Sequence, residues 1–291
     1  MNLASIKMPT PVITRLPDEL VEHILSFVPG KELHETVKLV CKQWCQLVSS
    51  SVVLWKLKCH MDGKVIPPLV QITNVPDLVR IYQKNPYGRS LITNSSGGQS
   101  SMKCWDILSN GGAHWKIEKK PIGCDEFPLA SQGETTCFAT SFEACAKMQL
   151  IDLIQSGCGE EVLDVQQPPI EVSEWHASRF DCGSIYWLKA FLLDNRKRVI
   201  RGFNSAPLQE EQWLGRSWSQ MKYIFREYGP GVRYVAFIDY GKDTQFWAGH
   251  YGAKMQGATV KFHFESFGDA TIAKNHPMEI KAGPFNPNIY L

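Results

Sequence analysis

The stretch VRYVAFIDYGKDTQFWAGHYG, residues 232–252, decides the fold of the larger part of this chain. Its first half is rich in Val, Ile, Phe and Tyr, which favour a β-strand, and turn-forming residues enclose its second half. Because a strand sends successive side chains to opposite faces, the adjacent rings of Phe246 and Trp247 cannot both turn inward. On the residues alone, this pair is either a corner of the core or a platform for a ligand.

Six further segments of the same character make the region after Leu91 a β-protein. Each is a short run of β-branched and aromatic residues, and Gly, Asn, Asp or Pro separates it from the next. The segments are HWKIE (114–118), MQLIDL (148–153), PIEVSEW (169–175), SIYWLKAFLL (184–193), RVIRGF (198–203) and ATVKFHF (258–264). Many short strands at this spacing predict an antiparallel β-sandwich.

The first sixty residues have the periodicity of helices instead. In LPDELVEHILSFVPG, residues 16–30, apolar residues repeat at helical spacing, Pro17 suits the first turn and Pro29-Gly30 ends the helix. Two more helices are predicted, in KELHETVKLVCKQWCQLV (31–48) and, shorter, in SSVVLWKLKC (50–59). Three short helices carry more apolar surface than they can bury among themselves. The fold class is therefore α+β, a small all-helical module followed by an antiparallel β-sandwich.

The pattern predicts four segments with different roles. The helical module covers residues 10–58 and the sandwich covers residues 88–265. Residues from about 60 to 90 contain VIPPL, NVPDL and NPYG, which predict a connector with at most one or two helical turns, and residues 59–87 are assigned to it. Residues 266–291 end in AGPFNPNIYL, have neither periodicity, and predict a loosely ordered tail.

Composition and missing motifs exclude several classes of protein. A formal net charge of +2 over 291 residues gives no reason to expect a nucleic-acid partner. No run of about 18 apolar residues is present, so membrane insertion is not expected. Nine scattered cysteines fit reduced thiols in the cytoplasm. Cys41 and Cys45, with His34 nearby, could share a metal, but core thiols are the favoured interpretation and no metal is predicted. Because no GxSxG, P-loop or GxGxxG motif occurs, we predict neither catalytic residues nor a cofactor.

The helical start resembles a known module. The runs LPDELVEHILSFVP, LVCKQWCQLV and LWKLK follow one another as they do in the F-box, and this resemblance covers roughly residues 12 to 58 of the predicted module. It implies that the chain docks on the Skp adaptor, and through it on the cullin scaffold, of an SCF-type ubiquitin ligase by filling an apolar groove. The residues expected to contact the adaptor are Leu16, Pro17, Leu20, Ile24 and Leu25. Core positions are expected at Val37, Val40 and Trp44.

The second region resembles the F-box-associated domain of sugar-recognising F-box proteins. The segments that carry the resemblance are NGGAHWKIE (110–118), CFATSFEACAKMQLIDL (137–153), GEEVLD (159–164), QPPIEVSEW (167–175) and YGPGVRYVAFIDYGKDTQFWAGHYGAKM (228–255). The resemblance implies a jelly-roll-like, galactose-binding-like sandwich. Several members bind the chitobiose and high-mannose core of N-glycans at the tip of the sandwich, whereas others have lost sugar binding.

The resemblance also places a glycan-binding site in this sequence. Binding members carry a Tyr-Trp-Lys triplet where this chain has Phe246, Trp247 and Ala248, and a Phe that corresponds to Phe142. The C–H face of a pyranose stacks on aromatic rings, a role that suits Trp247 and Phe142. Phe246 and Ala248 lack the hydroxyl and ammonium groups of the triplet, and losing two hydrogen bonds would weaken binding roughly tenfold or more.

We therefore expect a non-catalytic substrate-recognition subunit of an SCF-type ubiquitin ligase. Its expected clients are misfolded proteins with high-mannose N-glycans, which it would deliver to ubiquitination and endoplasmic-reticulum-associated degradation. Two alternatives stay open. The sandwich could bind a protein surface without a glycan, or the chain could be a sugar-binding enzyme of sandwich architecture.

Overall fold

A computed structural model describes residues 16–68, 71–98, 101–130, 133, 135–264 and 283–290 of the chain. They belong to two compact units, Met1–Tyr87 and Gly88–Leu291. The helices of the first unit are α1 (Asp18–Ser26), α2 (Gly30–Glu35), α3 (Lys42–Ser50), α4 (Val52–Met61) and α5 (Val75–Lys84), with a 3-10 turn at Val37–Leu39. Among the described residues, no helix is long and apolar enough to cross a bilayer.

A capping residue and a buried tryptophan define helix α4 of the first unit. Ser51 precedes α4, and its hydroxyl accepts a hydrogen bond from the backbone N–H of Leu54 at 3.0 Å, which caps the helix. Trp55 of α4 is fully buried, and its indole N–H donates to the Val48 carbonyl at 2.9 Å. With ten residues, α4 is longer than α1, so the prediction of a shorter third helix is wrong.

The predicted connector contains a ten-residue helix, α5, which corrects the expectation of one or two turns. Asn74 caps its start by accepting a hydrogen bond from the Asp77 N–H at 2.9 Å. Pro76 lies in the first turn, where proline is favoured because its missing N–H would have no partner there. NVPDL therefore marks the start of a helix. Tyr82 of α5 packs edge-on against Trp55 at 5.7 Å.

The second unit is built from strands that form two antiparallel sheets. The strands are β1 (Asp106–Asn110), β2 (Lys116–Glu118), β3 (Cys137–Ala139), β4 (Cys145–Asp152), β5 (Ile170–Ala177), β6 (Ser184–Leu193), β7 (Val199–Asn204), β8 (Leu208–Glu210), β9 (Ser219–Phe225), β10 (Tyr234–Asp243) and β11 (Lys254–Phe262). One sheet has the order β1-β4-β10-β6-β7, with β8 also paired to β6, and the other has the order β2-β3-β11-β5-β9. The α+β prediction is confirmed.

The sequence pattern identified every strand except β1, β3, β8 and β9. Three of these four lie at sheet edges and β3 has only three residues, so they lack the long apolar alternation of a central strand. The core lies between the sheets. The ring centroid of Trp105 lies 5.9 Å from that of Phe138 in one sheet and 6.0 Å from that of Phe237 in the other. The rings of Phe203 and Tyr223 stack between the sheets, with centroids 4.3 Å apart.

The outer face of the larger sheet is apolar, and residues 283–285 lie against it. Phe285 lies 5.4 Å from Phe191, within a cluster that includes Trp187. The backbone N–H of Val199 donates to the Gly283 carbonyl at 3.1 Å, and that of Phe285 donates to the Lys197 carbonyl at 2.9 Å. Loose order is therefore not what the structure shows at residues 283–285, because backbone pairing with the sheet and the Phe285 ring hold them. The rest of the predicted tail, residues 266–282 and 291, lies outside the described residues.

Candidate recognition site at the loop end of the sandwich

The loop between β10 and β11 carries the aromatic pair, and one buried carboxylate shapes it. Asp243, the last residue of β10, accepts hydrogen bonds from the backbone N–H groups of Phe246 at 2.7 Å and Trp247 at 3.1 Å. Phe246 adopts a left-handed φ of 59°, which costs about 1–2 kcal/mol for a residue with a side chain. The turn points both rings outward, where they are 68% and 41% exposed. The pair is therefore not a corner of the core.

The structure brings Phe142 to Phe246 although they are a hundred residues apart. Their ring centroids lie 5.1 Å apart, edge to face. The neighbouring Ser141 hydroxyl donates to the Gly249 carbonyl at 2.8 Å and accepts from the Ala113 N–H at 2.7 Å. One hydroxyl thus joins three loops, β1–β2, β3–β4 and β10–β11.

Gly112 makes this approach of loops sterically allowed. Its φ is +59°, and a Cβ at this position would lie 2.7 Å from Ser141 Oγ and 2.9 Å from a ring carbon of Phe142. Any side chain there would displace the serine or the ring. The backbone of this loop therefore packs directly against the candidate ring, which limits its freedom.

Trp247 is supported from the other side of the loop. It packs edge-on against Tyr251, with ring centroids 5.7 Å apart. The guanidinium of Arg179, from the β5–β6 loop, lies 4.1 Å from the Tyr251 ring, and Asp181 holds that guanidinium through two hydrogen bonds of 2.6 and 3.0 Å. The candidate rings therefore form two edge-on pairs, Phe142 with Phe246 and Trp247 with Tyr251.

The rim of the site is poor in hydrogen-bonding side chains. Ala248 is exposed and, like Phe246, offers no donor or acceptor from its side chain. Glu143 is exposed beside Phe142 and accepts a hydrogen bond from the Gly112 N–H at 2.9 Å. Sequence reasoning missed this carboxylate, since a lone acidic residue after an aromatic one has no distinguishing pattern.

Buried polar groups support the loop from below. Burial lowers the pKa of His250, although its hydrogen bond with the Ala113 carbonyl, at 3.0 Å, opposes the shift. The imidazole is therefore neutral near pH 7 and donates from Nε2. The buried ammonium of Lys254 donates to the His250 carbonyl at 2.8 Å and to Glu118 at 2.9 Å. These bonds connect the tip of the sandwich to its core.

A second buried charge cluster lies deeper in the sandwich, and sequence reasoning missed it. The ammonium of Lys147 lies 3.8 Å from the centre of the Trp105 ring, contacts Asp239 and lies 3.6 Å from Glu174. Burial, and next the charge of Asp239, raise the pKa of Glu174 well above its ordinary value; burial also raises the pKa of Asp239. A polar residue in a strand usually faces solvent, so no signal in the sequence separates these three residues from solvated ones.

The exposed face of α1 differs from the predicted adaptor contacts at one residue. Leu20 and Ile24 are 52% and 43% exposed, whereas Leu25 is only 1% exposed and packs in the helical core. Leu25 therefore presents almost no surface to a partner, because it lies on a different face of the helix from Leu20. Its contact with the adaptor stays a prediction. Pro17 is exposed and Leu16 is half-buried.

Two apolar residues that the prediction omitted also face solvent. Phe27 is 63% exposed and lies at i+7 from Leu20, so the helical spacing could have identified it. Leu39 is 76% exposed. Val40, expected in the core, is 61% exposed, whereas Val37 is buried and Trp44 is half-buried.

The cysteines of α3 and its start do not form a core pair. Cys45 is exposed and Cys41 is half-buried, which corrects the interpretation as core thiols. Cys41 instead precedes α3 and accepts a hydrogen bond from the Trp44 N–H through its sulfur at 3.5 Å. Within the described parts of the chain, no three His, Cys, Asp or Glu side chains are grouped to hold a metal ion.

Comparison with known proteins matches both units. Residues 13–61 match the family model described as F-box-like, and residues 82–262 match the model described as F-box associated region. Human F-box only protein 6 is 35% identical over 248 residues, which cover 85% of this chain and 83% of that protein. Human F-box only protein 17 is 34% identical over 87% of this chain and 93% of that protein. F-box only protein 27 of Mus musculus is 35% identical over 85% of this chain and 90% of that protein.

Solved structures with a similar arrangement include carbohydrate-binding modules. TmCBM61, solved in complex with beta-1,4-galactotriose, aligns over 60% of this chain and 100% of its own, with a TM-score of 0.37 and 10% identity. The C-terminal family 22 module of Clostridium thermocellum Xyn10B aligns over 61% of this chain and 94% of its own, with a TM-score of 0.36 and 9% identity. Similarities at this level say nothing about the ligand of this chain.

Proposed function

Because this chain belongs to the F-box proteins that carry an F-box-associated region, we propose that it is a substrate receptor of an SCF-type cullin-RING ubiquitin ligase. The helical unit docks on the Skp adaptor, and the sandwich captures the client. The mechanism is tethering: the client's lysines are held at high local concentration near activated ubiquitin that other subunits carry. No residue of this chain needs to act as acid, base or nucleophile. The proposal places the chain in the cytoplasm, where its nine free thiols stay reduced.

The exposed stripe of α1 supports adaptor docking. Leu20, Ile24 and Phe27 lie on one helical face, at i, i+4 and i+7, and each is more than two-fifths exposed. Two of these side chains lie in the nine-residue helix α1 and the third, Phe27, directly follows it, and together they form a patch that a complementary groove would cover. Leu16 and Pro17 precede this face and extend it.

Replacement of the three stripe residues by serine tests the docking. Burying three such side chains contributes several kcal/mol, so the triple variant should bind the purified adaptor at least a hundredfold more weakly. The control is Val165→Ser, which removes a 73% exposed apolar side chain from the sandwich. A folded triple variant that retains wild-type adaptor affinity would contradict the docking.

We propose that the loop end of the sandwich binds the core of a high-mannose N-glycan on a misfolded client. The observation that carries this proposal is the pair of exposed rings on a loop fixed by Asp243 and Ser141. Trp247 and Phe142 provide apolar faces for pyranose C–H groups, and Glu143 provides an acceptor for hydroxyls. A pre-ordered loop loses little conformational entropy on binding.

Retention on immobilised chitobiose and on a high-mannose glycoprotein tests the glycan proposal. Trp247→Ala should abolish retention because it removes the stacking surface. Phe246→Tyr combined with Ala248→Lys should strengthen retention about tenfold, since each change adds a hydrogen-bonding group to the rim. Folded wild-type protein with no retention on either matrix would refute glycan binding.

A second candidate function follows from the same rim. Phe246 is 68% exposed and, with Ala248, gives part of the site no polar group with which to hold a sugar. An exposed apolar surface of this kind can bind a polypeptide surface of a client that carries no glycan. Client binding that survives enzymatic deglycosylation, and that Phe246→Ala abolishes, would favour this second function over the first.

A further inference from the structure

A second exposed apolar patch lies on the sandwich, outside the glycan site proposed above. We define the Trp213 patch as Phe180, Trp213 and Leu214, which are 38%, 57% and 75% exposed. The rings of Phe180 and Trp213 pack edge to face at 5.5 Å, and the Trp213 N–H donates to the Phe180 carbonyl at 2.8 Å. The β5–β6 loop and the segment between β8 and β9 thus present three large apolar side chains together.

The backbone at Trp213 is in a left-handed conformation. Its φ is 69°, which costs about 1–2 kcal/mol for a residue with a bulky side chain. The hydrogen bond to the Phe180 carbonyl holds this conformation, and the Gln212 amide adds a bond of 2.9 Å to the Asp181 carbonyl. The fold therefore holds an indole outward, in solvent, in an unfavourable backbone conformation.

The polar side chains beside the patch are already paired with protein groups. Arg179 and Asp181 hold each other through two hydrogen bonds, and the Gln212 amide donates to a backbone carbonyl. What the patch offers a ligand is therefore mainly ring surface and the Leu214 side chain. A sugar needs hydrogen-bonding groups around an aromatic face, whereas apolar side chains of a polypeptide do not. This chemistry favours a peptide over a second sugar residue.

Two ring contacts and one peptide bond link the candidate glycan site to the patch. Trp247 packs on Tyr251, the Tyr251 ring lies against Arg179, and the next residue after Arg179 is Phe180 of the patch. Even if this chain of contacts were fully extended, the two tryptophans would lie at most about 30 Å apart, a distance that roughly nine residues of extended polypeptide span. A polypeptide joined to a glycan bound at Trp247 can therefore reach Trp213.

We propose that the Trp213 patch binds apolar side chains of the client polypeptide within about nine residues of its glycosylated asparagine. This inference rests on the proposed glycan function and adds a second requirement to it. Folded glycoproteins bury such side chains, whereas misfolded ones expose them. The glycan site and the Trp213 patch together select glycans attached to unfolded polypeptide. Only such a client presents a glycan to the first surface and exposed apolar side chains to the second.

Paired synthetic probes separate the two surfaces. The full-length chain, purified with the Skp adaptor, is titrated with free chitobiose and with two chitobiose-bearing peptides that differ only in the flanking residues, Leu/Phe-rich or Gly/Ser-rich. Wild-type protein should bind the Leu/Phe-rich glycopeptide about tenfold or more tightly than the Gly/Ser-rich one. The unglycosylated Leu/Phe-rich peptide, carrying a photoreactive leucine, should cross-link to the Trp213 patch.

Variants of the patch should remove this preference and leave sugar binding intact. Trp213→Gly removes the ring and suits the left-handed backbone, so the loop keeps its conformation. Together with Leu214→Ser it should equalise the affinities for the two glycopeptides, and affinity for free chitobiose should change less than twofold. Val165→Ser is the matched control, a 73% exposed apolar residue elsewhere on the sandwich, and should keep the preference.

Each outcome decides between the two proposals. Chitobiose binding without any preference between the glycopeptides would overturn the peptide surface and leave the glycan function standing. Cross-linking at the patch without chitobiose binding would support the peptide surface and refute the glycan function. Loss of both would refute both. Sedimentation that shows a dimer dispersed by the Trp213 variant, with no peptide bound, would make the patch a self-association surface and overturn the inference.

Discussion

Substituting Asp243 by alanine should release the aromatic loop without unfolding the sandwich. The carboxylate accepts two backbone hydrogen bonds, at 2.7 and 3.1 Å, from the residues that present the rings. Hydrogen bonds to a charged acceptor contribute about 1.5–3 kcal/mol each, and water recovers part of this in an exposed loop. We expect a net loss of about 2–3 kcal/mol for the observed loop conformation. The left-handed φ of Phe246 costs about 1–2 kcal/mol, so the variant loop would leave this conformation.

Hydrogen exchange and ligand titration together measure this effect. The amides of Phe246 and Trp247 should exchange much faster in Asp243→Ala, and affinity for chitobiose, or for a client that binds these rings, should fall about thirtyfold. Asp243→Asn keeps one acceptor oxygen and should give an intermediate loss.

The matched control is Asp152→Ala at the opposite end of the sandwich. Asp152 also accepts a backbone hydrogen bond in a turn, from Gln155 at 2.8 Å, and pairs with the end of β10 farthest from Asp243. Asp152→Ala should lower the free energy of unfolding about as much as Asp243→Ala does, but it should leave the affinity for chitobiose unchanged. If Asp243→Ala retained slow exchange at both loop amides together with wild-type affinity, the carboxylate would not be what orders the loop.

Three further outcomes follow from the packing. Gly112→Ala should lower the free energy of unfolding by more than Gly229→Ala. Both glycines have a positive φ, but only a Cβ at Gly112 would clash with another residue, at 2.7 Å from Ser141 Oγ. Chemical denaturation measures the difference, and equal losses of stability would contradict the prediction. Burial lowers the pKa of His176 to about 4, so the folded state resists protonation and stability should fall as pH drops from about 6.5 to about 4, by up to about 3 kcal/mol. His176→Phe should flatten this fall in denaturation curves recorded across that range, and an unchanged slope would refute the assignment. Phe285→Ala should cost about 1–2 kcal/mol, because the half-buried ring packs on the outer face of the sheet; an unchanged midpoint of unfolding would show that this contact does not contribute.

The fold was largely predictable because its signals are local. Seven strand segments have long runs of β-branched and aromatic residues, and each of them is a strand in the structure. Edge strands such as β9 (Ser219–Phe225) were not predicted, because one of their faces is polar and their pattern merges with that of loops. Helix α5 was not predicted at its full length for a related reason. A proline such as Pro76 can either interrupt a helix or occupy its first turn, and only the preceding capping residue, Asn74, distinguishes the two cases.

The sequence and its family resemblance pointed to four residues of the candidate site, Phe142, Phe246, Trp247 and Ala248, but not to Glu143 or Tyr251 and not to the geometry. The aromatic pair was recognised, yet its outward orientation depends on a carboxylate that any sequence reading would assign to a turn. On α1, the apolar spacing identified the helix correctly but could not tell the exposed Leu20 from the buried Leu25. Burial depends on which neighbouring helix packs on which face, and that information is absent from the period of one helix.

Composition and periodicity by themselves determined the class of this protein: helices first, a β-sandwich after them, and an aromatic pair in a turn near the end of the sandwich. Tertiary structure alone decided which side chains reach solvent or each other. The contact of Phe142 with Phe246 and the burial of Lys147 with Asp239 and Glu174 join residues far apart in the chain. The reason is physical: propensity and period act over one or two turns of chain, whereas exposure and charge pairing depend on the long-range packing that folding creates.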